Sequence, residues 1–81
     1  MKIKYFAWIK ELTKNNDEYL DSNEIQNLKN LKKFLSTKYP GLQKHFDQEI
    51  LRFAVKQEYV VENIDLNEDD EIAVFPPVSG G

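Results

Sequence analysis

Residues 28–38 read LKNLKKFLSTK, and this stretch decides the fold class. Its apolar residues recur at the spacing of one helical face, at Leu28, Leu31, Phe34 and Leu35. The lysines lie off that stripe, Asn27 is a suitable N-cap, and the Tyr39-Pro40-Gly41 sequence is a stop signal. The spacing therefore predicts one amphipathic helix that packs on the rest of its own domain.

Two short segments before this helix show other patterns. Residues 2–9, KIKYFAWI, alternate as in a strand, with Ile3, Tyr5 and Ala7 on one side and Lys2, Lys4, Phe6 and Trp8 on the other. Residues 9–14 suit a short helical turn. After the turn signal Asn15-Asn16-Asp17, residues 18–21 indicate a weak edge strand.

The chain after the helix returns to alternation. An irregular stretch leads to residues 50–56, and residues 59–61 resume after Gln57-Glu58, which predicts a hairpin. Residues 71–75 form the last predicted strand, which Pro76-Pro77 ends because proline cannot donate to the ladder. One main helix across a sheet of four to five strands is the economical two-layer solution, so an α+β fold is expected.

The predicted core combines the apolar stripe of the helix with one face of the strands. Its members are Ile3, Tyr5, Leu28, Leu31, Leu35, Phe53, Val55, Ile72 and Val74. Residues 1–75 are expected to form one domain, and residues 76–81 an extended C-terminal tail.

Composition excludes several classes of function. The chain has 81 residues, a net charge of −3 and no cysteine. An acidic balance argues against general nucleic-acid binding, and the lack of cysteine removes disulfides and thiolate metal sites. The apolar run at residues 5–9 is too short for a signal peptide or a membrane span, so a cytoplasmic protein with no membrane partner is expected.

No catalytic constellation is visible in the sequence. His45 is the only histidine, the chain has no phosphate-binding glycine loop, and no serine lies in a nucleophile elbow. The acidic cluster at Asp65, Glu68, Asp69, Asp70 and Glu71 matches no calcium loop and is interpreted as a solvated turn. We therefore expect no metal site and no enzyme activity from the chain on its own.

The last residues carry the strongest functional signal. Two of the three glycines are Gly80 and Gly81. A Gly-Gly end fits a channel too narrow for other residues and leaves its carboxylate uncrowded. Pro76-Pro77 stiffen the approach and lower the entropy lost on insertion. This arrangement suits a tail that presents a carboxyl group inside another protein; a frayed terminus is the alternative.

Several segments resemble the MoaD family, the ubiquitin-like small subunits of molybdopterin synthase. The ending FPPVSGG, preceded by LNEDDEIAV, is similar to the C-terminal signature of that family. IKYFAWIKEL, NLKNLKKFLSTKYP and FAVKQEYV resemble its first strand, its helix and its central hairpin. The chain departs from the family where Lys56 replaces a frequent asparagine and Asp69 a frequent glycine, which should cost a little turn stability.

The resemblance implies a β-grasp fold, in which the first and last strands are parallel central neighbours. With Ile3, Tyr5, Ile72 and Val74 facing the helix, the residues Phe6, Trp8, Ala73 and Phe75 would face outward. An outward apolar patch indicates a protein interface. The residues expected to contact partners are Phe6, Phe75, Pro76, Pro77, Val78 and Ser79.

The resemblance also implies a chemistry. An E1-like adenylyltransferase, using ATP and magnesium, would activate the Gly81 carboxylate, with Gly80 keeping the tip narrow. A sulfur donor protein would then leave a thiocarboxylate, and the tail would deliver its sulfur to the cyclic pyranopterin precursor in the large synthase subunit. The chain itself would hold no permanent cofactor.

Three alternatives remain open from the sequence. The chain could carry sulfur for another pathway, such as thiamine or cysteine synthesis. It could be a ubiquitin-like modifier that forms isopeptides through Gly81, or a protein-interaction module with an inert tail.

Overall fold

The computed structural model describes residues 1–21 and 23–77. In chain order the elements are β1 (Lys2–Tyr5), α1 (Ile9–Thr13), β2 (Asp17–Tyr19), α2 (Leu28–Lys38), a 3₁₀ turn (Pro40–Leu42), α3 (Gln43–Asp47), β3 (Arg52–Val55), β4 (Glu58–Val60) and β5 (Glu71–Phe75). Within the described residues, no helix has the length and apolar character needed to cross a bilayer.

The strands form one mixed sheet in the order β2-β1-β5-β3-β4. β1 and β5 are parallel central neighbours, with Lys2 opposite Glu71 and Tyr5 opposite Val74. β3 pairs antiparallel with the other side of β5, and β2 and β4 form the two edges. The α+β fold class and the predicted mixed sheet with a parallel centre are confirmed.

The main helix, α2, begins and ends where the sequence predicts. The side chain of Asn27 accepts a hydrogen bond of 2.8 Å from the backbone N–H of Asn30, which satisfies one free donor of the first turn. At the other end the Tyr39 N–H donates to the Leu35 carbonyl, and Pro40 opens the 3₁₀ turn. The prediction of residues 28–38 is confirmed at both ends.

The apolar stripe of α2 and one face of the sheet together form the core. Its buried members are Met1, Ile3, Tyr5, Ile9, Ile25, Leu28, Leu31, Leu35, Leu42, Leu51, Phe53, Val55, Leu66, Ile72 and Val74. All residues of the predicted core are among them. Apolar residues that recur every 3.6 positions on a helix, or every second position on a strand, lie on one face. These patterns identified the core because only that face is removed from water.

β1 is shorter than predicted, and this changes where Trp8 lies. Ala7 has a φ of 55°, a left-handed conformation that interrupts a strand. The carbonyls of Phe6 and Ala7 accept hydrogen bonds from Ile9 and Lys10, so the chain turns into α1. Alternation therefore stops at Phe6, and the prediction that Trp8 continues the outward face is wrong.

The stretch predicted to be irregular after α2 is largely helical. It contains the 3₁₀ turn and α3, whose five residues are too few for a helical period to be visible in sequence. The Phe46 ring of α3 stacks nearly parallel on Phe53 of β3, with 6.0 Å between the ring centroids. This contact joins α3 to the sheet.

The hairpin turn lies one residue earlier than predicted. Lys56 and Gln57 form it with φ values of 53° and 67°, and Val55 lies opposite Glu58. Two consecutive left-handed residues between paired strands are typical of a type I′ turn, which Asn-Gly usually fills. Neither residue is a usual choice for such a turn, so the sequence carried no clear signal for its position.

The acidic turn before β5 is not wholly solvated, contrary to the prediction. Asp70 is 2% exposed and accepts a hydrogen bond of 2.7 Å from the Asn67 N–H. Its neighbour Asp69 is exposed and is not left-handed, although the family often has glycine there. Asp70 is a structural residue, and only its neighbours face water.

Candidate partner-binding face and tail root

Four predicted site residues, Val78, Ser79, Gly80 and Gly81, lie outside the described residues. The structure does place the segment that leads to them. β5 ends at Phe75 and is bonded to β1 on one side and to β3 on the other. Half-buried Pro76 and exposed Pro77 follow, and proline restricts φ. The tail therefore starts from the central strand of the sheet.

The outward face of the sheet, turned away from α2, has small side chains at its centre. The strand register places Lys4, Ala73, Ala54 and Tyr59 side by side across four strands. Side chains alternate along a strand, and neighbours such as Val74 are fully buried on the other face. The two alanines, whose side chains are the shortest in this row, therefore form its floor between Lys4 and Tyr59.

The two phenylalanines predicted to contact partners lie at the end of this face where the tail leaves. Phe6 is 44% exposed, and its backbone N–H donates to the Val74 carbonyl. Phe75 is half-buried, because the Tyr59 ring meets it edge-on with 5.6 Å between the centroids. Both are therefore accessible beside the tail root, Phe75 less so than Phe6. That a partner binds them stays a prediction.

A depression of about 470 Å³ occupies the centre of the outward face. Its lining residues come from β1, β3, β5 and the hairpin turn, and are Lys4, Phe6, Ala54, Lys56, Gln57, Glu71 and Ala73. We call it the two-alanine depression, because the methyl groups of Ala54 and Ala73 face each other across paired strands at its floor. It extends from the hairpin turn and the start of β5, at the end of the sheet opposite the tail, to Phe6 at the end where the tail leaves.

Charges on the rim of the two-alanine depression are paired. The Lys4 ammonium lies 2.8 Å from a Glu71 carboxylate oxygen. The hydrogen bond and the charge of Glu71 raise the pKa of Lys4, and the same bond and the charge of Lys4 lower the pKa of Glu71. Both groups are therefore ionised at neutral pH and offset each other. On the other side, Lys56 pairs with Asp70 at 3.2 Å.

Sequence reasoning did not identify Tyr59 as part of this face, and it did not foresee the ion pairs that Lys4 and Lys56 make there. Tyr59 is 61% exposed and covers one side of Phe75. Alternation in the hairpin could have assigned Tyr59 to the face of Ala54, had the turn been placed correctly. The pairing of Lys4 with Glu71 depends on the parallel contact of two strands far apart in sequence.

The one histidine packs against an aromatic ring. His45 of α3 lies 4.8 Å from Trp8, centroid to centroid, with the rings tilted by 54°. Among residues 1–21 and 23–77, no three histidine or acidic side chains are arranged to hold a metal ion. The described residues thus place an open sheet face, with Phe6 and Phe75 at one end, beside the base of the tail.

The sequence matches known proteins over its whole length. The model of the ThiS family matches residues 3–81. The molybdopterin synthase sulfur carrier subunit of Homo sapiens is 41% identical over 85 aligned residues, which cover 100% of this chain and 93% of the human protein.

Solved structures share the fold. A putative molybdopterin converting factor subunit 1 from Pyrococcus furiosus superposes with a TM-score of 0.83 at 24% identity, covering 95% of each chain. A chain in a complex of subunits 1 and 2 of the molybdopterin-converting factor from Helicobacter pylori has a TM-score of 0.69 at 25% identity, covering 99% of this chain and 96% of that one.

Proposed function

The chain belongs to the ThiS family, and from this premise we propose that it is the sulfur carrier subunit of a molybdopterin synthase. The observation that carries the proposal is the 41% identity, over the full chain, with the human subunit of that name. Similarity to a chain from a complex of subunits 1 and 2 supports a large-subunit partner. In this role the chain is a non-catalytic subunit that works in the cytoplasm and carries the atom to be transferred.

Activation of the terminus is the first proposed step. A carboxylate accepts sulfur poorly, because its charge is delocalised and oxide is a poor leaving group. An E1-like adenylyltransferase, with ATP and magnesium, joins a carboxylate oxygen of Gly81 to the α-phosphate of ATP and releases pyrophosphate. Hydrosulfide supplied by a sulfur donor protein then attacks the carbonyl carbon of the adenylate, the bond from that carbon to AMP breaks, and loss of a proton leaves a thiocarboxylate on Gly81.

Delivery is the second proposed step. The tail enters the large subunit, where the thiocarboxylate sulfur attacks a carbon of the cyclic pyranopterin precursor and displaces an oxygen substituent from it. Water then cleaves the acyl–sulfur bond, which leaves the sulfur on the precursor and returns a carboxylate to Gly81. Pro76 and Pro77 keep the tail extended. Val78 and Ser79 contact the walls of the passage in the large subunit, and Gly80 leaves the tip narrow. Phe6 and Phe75 contact the large subunit beside the tail root. The chain supplies the reactive atom, while its partners supply the catalytic groups.

Intact mass spectrometry tests the proposal directly. The protein is incubated with its E1-like partner, ATP, magnesium and a sulfur source. The expected result is exchange of one terminal oxygen for sulfur in the wild-type protein. Deleting Gly81, or adding one residue after it, should abolish the exchange and leave the fold intact, because adenylation needs the carboxylate within about 3–3.5 Å of its target. Molybdopterin formation by the extended variant, verified as uncleaved, would overturn the proposal.

The same preparation separates the proposal from its alternatives. A carrier for thiamine or cysteine synthesis would form the thiocarboxylate but co-purify with a different synthase. A modifier would yield lysine-linked conjugates through Gly81. An interaction module would bind its partners with the terminus unchanged.

A further inference from the structure

The two-alanine depression is large compared with the groups that line its floor. Its volume of about 470 Å³ exceeds many times the ~30 Å³ that one water occupies in the liquid. Ala54 and Ala73 lie directly opposite each other on β3 and β5, with the longer Tyr59 and Lys4 on the flanking strands. The face is therefore concave across the strands rather than flat.

The electrostatics of the rim favour an uncharged occupant. The two lysines that line the depression are Lys4, 2.8 Å from Glu71, and Lys56, 3.2 Å from Asp70. A charged group entering the depression would meet no unpaired charge among these residues and would lose its own hydration. An apolar group loses no hydrogen bonds there and covers the two methyl groups and the Phe6 ring.

The position of the depression indicates which partner supplies that group. One end of it is lined by Phe6, at the end of the sheet where β5 leads into Pro76 and Pro77, and Ala73 on its floor lies two residues before Phe75 on the same face of β5. A protein that takes in the tail beyond Pro77 must approach this end, and an interface that continues along the face from Phe6 reaches the depression. Interface cores of this kind are typically anchored by one or a few bulky side chains in pockets.

We propose that the two-alanine depression receives one large uncharged apolar side chain of the large synthase subunit as the tail enters that subunit. The inference rests on the proposed function, since the large subunit is the partner it names. Ala54 and Ala73 are then specificity-determining residues, because their small size creates the space. Any larger residue at either position would occupy the place of the partner's side chain.

Filling the depression tests the inference. The variant is Ala73→Leu, which adds apolar atoms on the outward face and leaves the buried face of β5 unchanged. Ala54→Leu fills the same space from β3 and serves as a second variant if the first folds poorly. Lys2→Leu is the matched control, because it adds leucine to the outward face of β1 outside the depression. Binding to the purified large subunit is measured by calorimetry, and folding by thermal denaturation.

We expect Ala73→Leu to weaken binding at least tenfold with a melting temperature close to that of the wild type, and Lys2→Leu to bind normally. If Ala73→Leu and Ala54→Leu both fold and both bind with wild-type affinity, the inference is overturned and the proposed function still stands. Equal loss in Lys2→Leu would also overturn it, because any bulk on the face would then suffice. Failure of the wild-type protein to bind the large subunit would overturn the proposed function itself.

Discussion

The ammonium of Lys56 lies 3.2 Å from the carboxylate of Asp70, an ion pair between an exposed lysine and an aspartate that is 2% exposed. The other carboxylate oxygen of Asp70 accepts the Asn67 N–H, and the Lys56 N–H donates to the Glu71 carbonyl. These contacts tie the hairpin turn to the start of β5. The strand that carries the tail is thus held at the end opposite the tail.

Asp70→Ala should lower the free energy of unfolding by about 1–3 kcal/mol, because it leaves the Asn67 N–H without its acceptor. The matched control is Asp69→Ala at the exposed neighbouring position, which should change stability by less than about 0.5 kcal/mol. Urea denaturation measures both. Equal stability of the two variants would show that the buried carboxylate is not a structural contact.

Gln57→Gly should stabilise the protein by about 1 kcal/mol. Gln57 has a φ of 67°, and a left-handed conformation costs a non-glycine residue roughly 1–2 kcal/mol, partly offset by the greater freedom of glycine in the unfolded chain. Glu58→Gly, one residue later in β4, is the control and should destabilise the protein. The prediction fails if denaturation shows that both glycines destabilise alike.

The loss of stability of this protein at acid pH should depend on Glu18. Burial alone would raise the pKa of this carboxyl, but hydrogen bonds from Lys38, Tyr39 and Tyr5 outweigh it and lower the pKa below its ordinary value. A lowered native pKa contributes stability above the unfolded value, near 4.5, and that contribution disappears as the pH falls through the native value.

Glu18→Gln should therefore lower stability at pH 7 and flatten its decline toward pH 3, measured as the free energy of unfolding at a series of about five pH values. Glu11→Gln, at an exposed position on α1, is the control and should keep the wild-type curve. If the free energy of unfolding of Glu18→Gln falls with decreasing pH as steeply as that of the wild type, the fall is due to other carboxylates.

Phe75→Ala should weaken the complex with the large subunit at least tenfold and lower the melting temperature by only a few degrees. The ring lies on the outward face and is covered in part by Tyr59, so its loss opens no cavity in the core. Phe34→Ala is the matched control: Phe34 packs against the core from α2, so stability should fall while binding is kept. The opposite pattern would mean that Phe75 belongs to the core.

Local sequence determined the main helix, the buried faces of the strands and the end of β5. Asn27 caps the first turn of the helix, and the spacing of Leu28, Leu31 and Leu35 gives it one buried face. β5 ends before Pro76, which has no N–H to donate to a neighbouring strand. The fold name, and the parallel contact of β1 with β5, came from resemblance to a family and not from periodicity. α3 escaped prediction because five residues span little more than one turn.

The tertiary structure alone decided what the outward face is. Ala54 and Ala73 meet because β3 pairs with β5, and Lys4 meets Glu71 because β1 lies on the other side of β5. Trp8 lies off that face because the left-handed Ala7 ends the alternation of β1. Buried Asp70 meets Lys56 because the hairpin turn, with its two positive φ values, is bonded to the start of β5. Such contacts join residues far apart in the chain. Their energies depend on which strands are neighbours in the sheet, and the alternation within one strand does not specify its neighbours.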